Sequence, residues 1–208
     1  MKILKRFATL CVFGVTLGGC ALVDVASSPA PQLFTLTVAP AAGETGASRA
    51  ASLLVDEFTA SAALGTARIA YQPNPHELKY FADARWVDLA PLMVRQLTID
   101  TLENSHRFAS VAARGAGIRG DYVLEGDMRQ FAAEGTDGKL DVRVDLFMRV
   151  VSNLNRNVVA ARDFAAVEPV VGSGMAAIVA AYDKALARNL AAITDWTAAS
   201  TPAIPQTK

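Results

Sequence analysis

The chain is poor in the residues that do chemistry or staple small folds. It holds two cysteines and two histidines in 208 residues. Cys11 and Cys20 both lie near the start, so no disulfide framework knits the body. His76 and His106 have no thiol to join them and fall short of the ligand set of a zinc site. A histidine-based nucleophilic triad lacks parts for the same reason. Net charge is missing as well. Twenty basic side chains balance 20 acidic ones, and nucleic acid needs a basic footprint. After the opening stretch no long apolar run recurs, so nothing in the body reads as a spanning helix.

What is present begins at the N-terminus. Lys2, Lys5 and Arg6 precede an almost wholly apolar run from Phe7 to Leu17. The run is too short for a bilayer, which needs roughly 20 residues. A basic start, a short apolar run and small residues at its end describe a secretory signal. Leu17-Gly18-Gly19-Cys20 resembles the bacterial lipobox. That resemblance implies that the Cys20 thiol is diacylated, the chain is cut before it, and the new amine is acylated. Residues 1–19 are then the signal peptide and Cys20 is the lipidation site, a membrane anchor. Each buried methylene of such an anchor contributes about 0.8 kcal/mol. One chain holds marginally, and three hold for good. Cutting 19 from 208 leaves 189 residues, enough for one core of ordinary size. The cut also removes three cations, leaving 17 basic against 20 acidic side chains, a balance of −3. The mature body has neither a free thiol nor a disulfide, although its compartment is oxidising. It folds on its hydrophobic core.

Residues 20–32 read as a tether, with Ser27, Ser28, Pro29 and Pro31 breaking regular structure. A first strand is expected from Leu33 to Val38 and a second extended stretch from Ser52 to Phe58. Arg68 to Gln72 and Glu77 to Phe81 read as two strands about a turn at Pro73, Asn74 and Pro75. A helix follows from Asp88 to Asn104, with Pro91 in its first turn. Ala90, Val94, Leu97 and Thr101 make its stripe, which Leu92 and Ile99 fall outside. Phe108 to Ala112 is a short strand, and Arg114 to Gly120 a glycine-rich loop.

The clearest periodicity comes next. Tyr122, Leu124, Gly126 and Met128 alternate with Val123, Glu125, Asp127 and Arg129. After Thr136-Asp137-Gly138, Leu140, Val142, Val144, Leu146, Met148 and Val150 alternate with Asp141, Arg143, Asp145 and Arg149. The pattern predicts a long antiparallel hairpin with one buried and one wet face. Val158 to Ala166 returns as a third strand. Its register is open, because Arg162 and Asp163 each spoil one option. Ser173 is the expected N-cap of a last helix carrying Ile178, Tyr182, Leu186, Leu190, and Ile193 or Trp196. The order predicts an α+β domain over 33–197, an antiparallel or mixed sheet with two helices on one face, and a flexible tail over 198–208.

Several motifs tempt a chemical reading. Gly115-Ala116-Gly117-Ile118-Arg119-Gly120 matches a dinucleotide fingerprint by letters, but a strand is expected after it where the motif needs a helix. His76-Glu77-Leu78-Lys79-Tyr80 opens like a zinc protease motif, and its second histidine is Tyr80. Gly172-Ser173-Gly174 ahead of a helix reads as a cap before an anion site. Tyr71, Tyr80, Phe81 and Trp86 cluster in sequence, and Tyr80 and Trp86 are expected in the core.

The order of residues also resembles a family. Arg68 through Tyr71, Asn74-Pro75-His76-Glu77-Leu78, Tyr80 and Trp86 carry the likeness. It continues through Leu97, Leu102, Phe108, Val111, Asp121-Tyr122 and Leu124 to an alanine-rich last helix. This pattern, from Phe34 to Trp196, resembles the ABC-type transport auxiliary lipoproteins of the PqiC-like kind. Phe81 stands where that family often has a tyrosine. The resemblance implies a periplasmic lipoprotein that catalyses nothing and holds no cofactor. Its partners would be an MCE-domain protein, a permease and an ATPase. Together they move phospholipid, sterol or other hydrophobic molecules across the envelope. It also leaves room for a homo-oligomer. Ala21, not aspartate, follows Cys20, which by the enteric sorting rule directs the protein to the periplasmic face of the outer membrane. The turn at Pro73, Asn74 and Pro75 is the candidate partner contact. The rival readings are a lipoprotein regulator of peptidoglycan synthesis and a lipid carrier with its own cavity. The tether, reaching at most roughly 45 Å, weighs against the former.

Overall fold

The computed structural model describes residues 30–37, 51–136 and 139–201. The chain divides into Met1–Pro31 and Gln32–Lys208. Cys20, the expected signal peptide and most of the tether lie outside the described residues, as do residues 202–208. The second unit holds strands β1 (Gln32–Phe34), β2 (Ser52–Val55), β3 (Thr59–Ala60), β4 (Arg68–Asn74) and β5 (Glu77–Trp86). Helix α1 (Ala90–Asn104) and strands β6 (Ser110–Ala113), β7 (Tyr122–Thr136), β8 (Lys139–Ser152) and β9 (Val158–Pro169) follow, then helix α2 (Gly174–Ser200). The strands form one mixed nine-stranded sheet, so the domain is α+β as expected.

β7 organises that sheet. Its alternating residues suit a half-buried strand, and one edge pairs antiparallel with β8 from Tyr122↔Ser152 to Thr136↔Lys139. The other edge takes three short parallel strands in turn. β2 lies against Tyr122 to Leu124, β3 against Asp127 and Met128, and β4 against Ala132 to Glu134. Beyond these, β2 carries β6, β4 carries β5, and β5 carries β1. A bulge between Met128 and Gln130 shifts the inward parity of β7. Leu124 and Met128 face the core before it, and Phe131 and Ala133 face Val144 and Val142 after it.

Both helices feed the same core. Val94, Ile99 and Leu102 of α1 join Tyr182, Leu186, Leu190 and Ile193 of α2 in one cluster with the sheet. Ile99 is buried although it misses the simple stripe, while Leu97 is half-buried. Trp86, Phe131 and Tyr182 knot β5, β7 and α2 together, with centroids 4.7 to 5.9 Å apart. The Tyr182 hydroxyl donates to the Ala70 carbonyl at 3.3 Å, and burial pushes its pKa up, so it stays a donor. On the opposite face Leu54, Val123 and Val151 make a small second cluster.

Several boundaries differ from expectation. β4 runs on through Pro73 and Asn74, and the turn proper is Pro75-His76. Pro73 is tolerated because it lies past the last β7 pair and inside a register shift against β5. β5 extends to Trp86, the strand expected at Phe108 begins at Ser110, and the two-residue β3 was unforeseen. The third strand of the meander resolves its own conflict. Phe164 and Ala166 face inward opposite Leu146 and Val144. Arg162, on that same side, is exposed and lies over the Phe164 ring at 5.2 Å, while Asp163 turns outward to pair with Arg129. α2 passes the expected boundary at 197, with Ala198 and Thr201 buried.

Candidate functional site

Among the candidate contact residues, Pro73 is half-buried at the end of β4, and Asn74 and Pro75 are exposed at the tip of the β4–β5 hairpin. The tip is held by its own side chains. Asn74 Oδ1 accepts from the His76 N–H at 3.1 Å, and Asn74 Nδ2 donates to Glu77 at 2.9 Å. Gln72 Nε2 donates to the Pro75 carbonyl at 3.2 Å, and Gln130 Nε2 donates to Gln72 Oε1 at 3.1 Å. Lys79 pairs with Glu77 at 2.6 Å, which lowers the pKa of the carboxyl and raises that of the ammonium. The turn is thus a preset polar surface rather than a loose loop.

Beside it lies a cavity of about 180 Å³ lined by Gln72, Asn74, Pro75, Glu134 and Gly135. The parallel pairing of β4 with β7 makes it, since Gln72 sits opposite Glu134. Burial raises the pKa of Glu134 above the ordinary carboxylate value; Arg143 opposes this, and Asp145 and Asp141 add to it. Gly135 leaves room for the Tyr71 hydroxyl, which a Cβ there would approach to 2.9 Å. Glu134, Gly135 and Gln72 carry no local motif. Their juxtaposition depends on a pairing between strands some sixty residues apart.

The other motifs resolve into structure. The glycine-rich loop leads into β7, a strand; Gly115 and Gly117 take positive φ of 94° and 78°. Gly120 is needed where it packs, for a Cβ there would stand 2.5 Å from Leu54 Cγ. His76 sits in the exposed hairpin turn. His106 ends α1 in the left-handed region at φ 52°, a place usually taken by glycine. Ser173 is the N-cap residue of α2, but its hydroxyl makes no capping bond. The groove there, about 470 Å³, is lined by Lys139 and Asp141 together. Trp86 is buried as expected, while Tyr80 is half-buried, with Arg68 stacked on its ring at 3.7 Å and its hydroxyl donating to Ala63. Among the described residues no group of three histidine, cysteine or acidic side chains is placed to hold a metal ion. Among them, too, no helix is long and apolar enough to cross a membrane.

The outer sheet face is wet, as the alternation implied. Arg129 pairs with Asp163 and Asp127, Arg143 with Asp145, and Arg149 with Glu125. Arg129 and Arg149 flank the half-buried Phe147 ring at 4.1 and 5.5 Å.

Comparison with known proteins agrees with this architecture. A family model described as the ABC-type transport auxiliary lipoprotein component matches residues 34–194. An uncharacterized protein of Bradyrhizobium diazoefficiens is 33% identical over 186 residues, covering 87% of this chain and 49% of that protein. The chain therefore spans about half the length of that curated relative. A crystal structure from Xanthomonas campestris, of the DUF330 type, superposes with a TM-score of 0.72 at 25% identity, covering 81% of this chain and 96% of its own. A second, uncharacterized crystal structure gives a TM-score of 0.65 at 13% identity, over 81% of this chain and 99% of its own, a likeness of fold alone.

Proposed function

The chain belongs to the ABC-type transport auxiliary lipoprotein family, and from that premise we propose that it is a non-enzymatic, lipid-anchored component of an MCE-associated lipid transporter. Cys20 holds it at the periplasmic face of the outer membrane. Its partners are an MCE-domain protein with its permease and ATPase, and the cargo is phospholipid, sterol or another hydrophobic molecule. The match over residues 34–194 carries this reading, because it spans β7, α1, the hairpin tip and α2 as far as Thr194. The tip adds a physical reason for placing the protein contact there. Asn74 and Pro75 project from a turn already held by its own hydrogen bonds, so docking orders little that is not ordered beforehand.

The test is detergent extraction of tagged protein from envelope membranes, with crosslinking and mass spectrometry of what accompanies it. An MCE-domain protein or its ATPase in the eluate is the expected result. A penicillin-binding protein with no transporter subunit would overturn the transport reading in favour of a cell-wall regulator. Lipid bound to the isolated protein would assign it a carrier's role of its own.

A further inference from the structure

Four large apolar side chains stand out of the fold at one place. Leu33 is 66% exposed, Val87 53%, Leu89 43% and Leu92 39%. The β1–β5 pairing brings them together. Phe34 lies opposite Trp86, and the Val87 N–H donates to the Phe34 carbonyl at 2.9 Å. Leu33 lies opposite Arg85, two residues before Val87, so the two share the outward side of the sheet. Leu89 caps α1 and Leu92 lies in its first turn. Val87 and Leu92 also wall a groove of about 390 Å³ with Leu36, Met93 and Leu97. Exposed Arg85, Asp88 and Gln96 ring these side chains with polar groups. Single exposed leucines are ordinary on a soluble surface, whereas a clustered set of this kind marks a surface that something covers.

The chain that enters here says what covers it. Residues 20–31 join the fold at Gln32, next to Leu33. Fully extended they reach about 40 Å. Just past β1 the chain is clasped: the Thr37 N–H and hydroxyl both donate to the Asp183 carboxylate, at 2.8 and 3.0 Å. An acylated Cys20 would therefore keep this apolar face within about 40 Å of the bilayer that takes its acyl chains. We propose that Leu33, Val87, Leu89 and Leu92 rest on that lipid surface, making a second point of membrane attachment. This rests on the anchor reading of Cys20. Apolar side chains ringed by polar ones are what an interfacial contact requires, and tethering supplies the high local concentration that makes a small contact persist.

The test uses thiol chemistry the sequence leaves free, because Cys11 goes with the signal and Cys20 is capped. Leu92→Cys and, as a control, Val171→Cys are labelled with an environment-sensitive fluorophore in the full lipoprotein. The protein is reconstituted into phosphatidylethanolamine–phosphatidylglycerol vesicles carrying a lipid-borne quencher. The label at position 92 is expected to shift to the blue and to be quenched several-fold more than at 171. The triple variant Leu33→Glu, Val87→Glu, Leu89→Glu should bring it down to the control level. Equal, water-like emission at both positions would overturn the proposal, and so would a blue-shifted label that lipid does not quench, which would assign the face to a second copy. Mass measurement of the Cys20 peptide reads the anchor separately. If that peptide carries no acyl chain, the anchor reading fails alone; a histidine tag at the mature N-terminus then holds the chain on chelating lipid, and the same labels decide the face.

Discussion

The two ends of β5 are finished in opposite ways. At its start, Asn74, Glu77, Lys79 and Gln72 close a polar turn on themselves. At its end, Leu33, Val87, Leu89 and Leu92 leave apolar surface in the open. Ten residues separate the ends, about 30 Å in a strand. One rigid element thus presents a hydrogen-bonded tip in one direction and an apolar base in the other. A polar tip of that kind suits a protein partner that must be met and released. An apolar base beside the proposed lipid anchor suits a membrane surface.

The largest expected effect comes from breaking the packing beneath the base. Trp86→Ala removes the fully buried indole that meets Phe131 and Tyr182, and should lower stability by about 3–5 kcal/mol. Chemical denaturation measures it. Gly126→Val comes next. A Cβ at that position would stand 2.7 Å from the Phe58 ring, so a loss of about 1–3 kcal/mol is expected in the same assay. At the base, Asp183→Ala releases the Thr37 clasp. The bonds are exposed, so a loss of about 0.5–1 kcal/mol is expected. Hydrogen exchange should quicken at Thr37 without change at the tip.

The smallest effect is at the tip and depends on pH. Burial raises the pKa of Glu134 in the folded protein, so the native state holds that proton more tightly than the unfolded chain does. The stabilisation is fully present below the unfolded value near 4.5 and is lost as pH rises through the higher folded one. Glu134→Gln should therefore flatten the decline in stability over that window. An unchanged pH profile would mean that Arg143 already offsets the burial.

The sequence showed the two arms of the long hairpin plainly, because Tyr122 to Met128 and Leu140 to Val150 each alternate, but not the bulge between Met128 and Gln130 that brings their apolar sides to one face. It left β9 open, since Arg162 and Asp163 block both registers until Phe164 and Arg129 are seen beside them. It gave no sign that β2, β3 and β4 share one edge of β7. Those parallel pairings are nonlocal, and β3 is held by two residues and a bond from Thr59 to Asp127 at 2.8 Å. The tip was legible through its prolines, while its neighbours Glu134 and Gln72 were not. The base left one trace. Leu92 fell outside the buried stripe of α1, and it is one of the exposed leucines.

Photo-crosslinking in intact envelopes distinguishes a tip that meets protein from a base that meets lipid. A photoreactive residue replaces Pro75 in one strain and Leu92 in another. Position 75 is expected to capture an MCE-domain protein and position 92 to capture lipid. Capture of that protein at position 92, with nothing at position 75, would contradict that expectation.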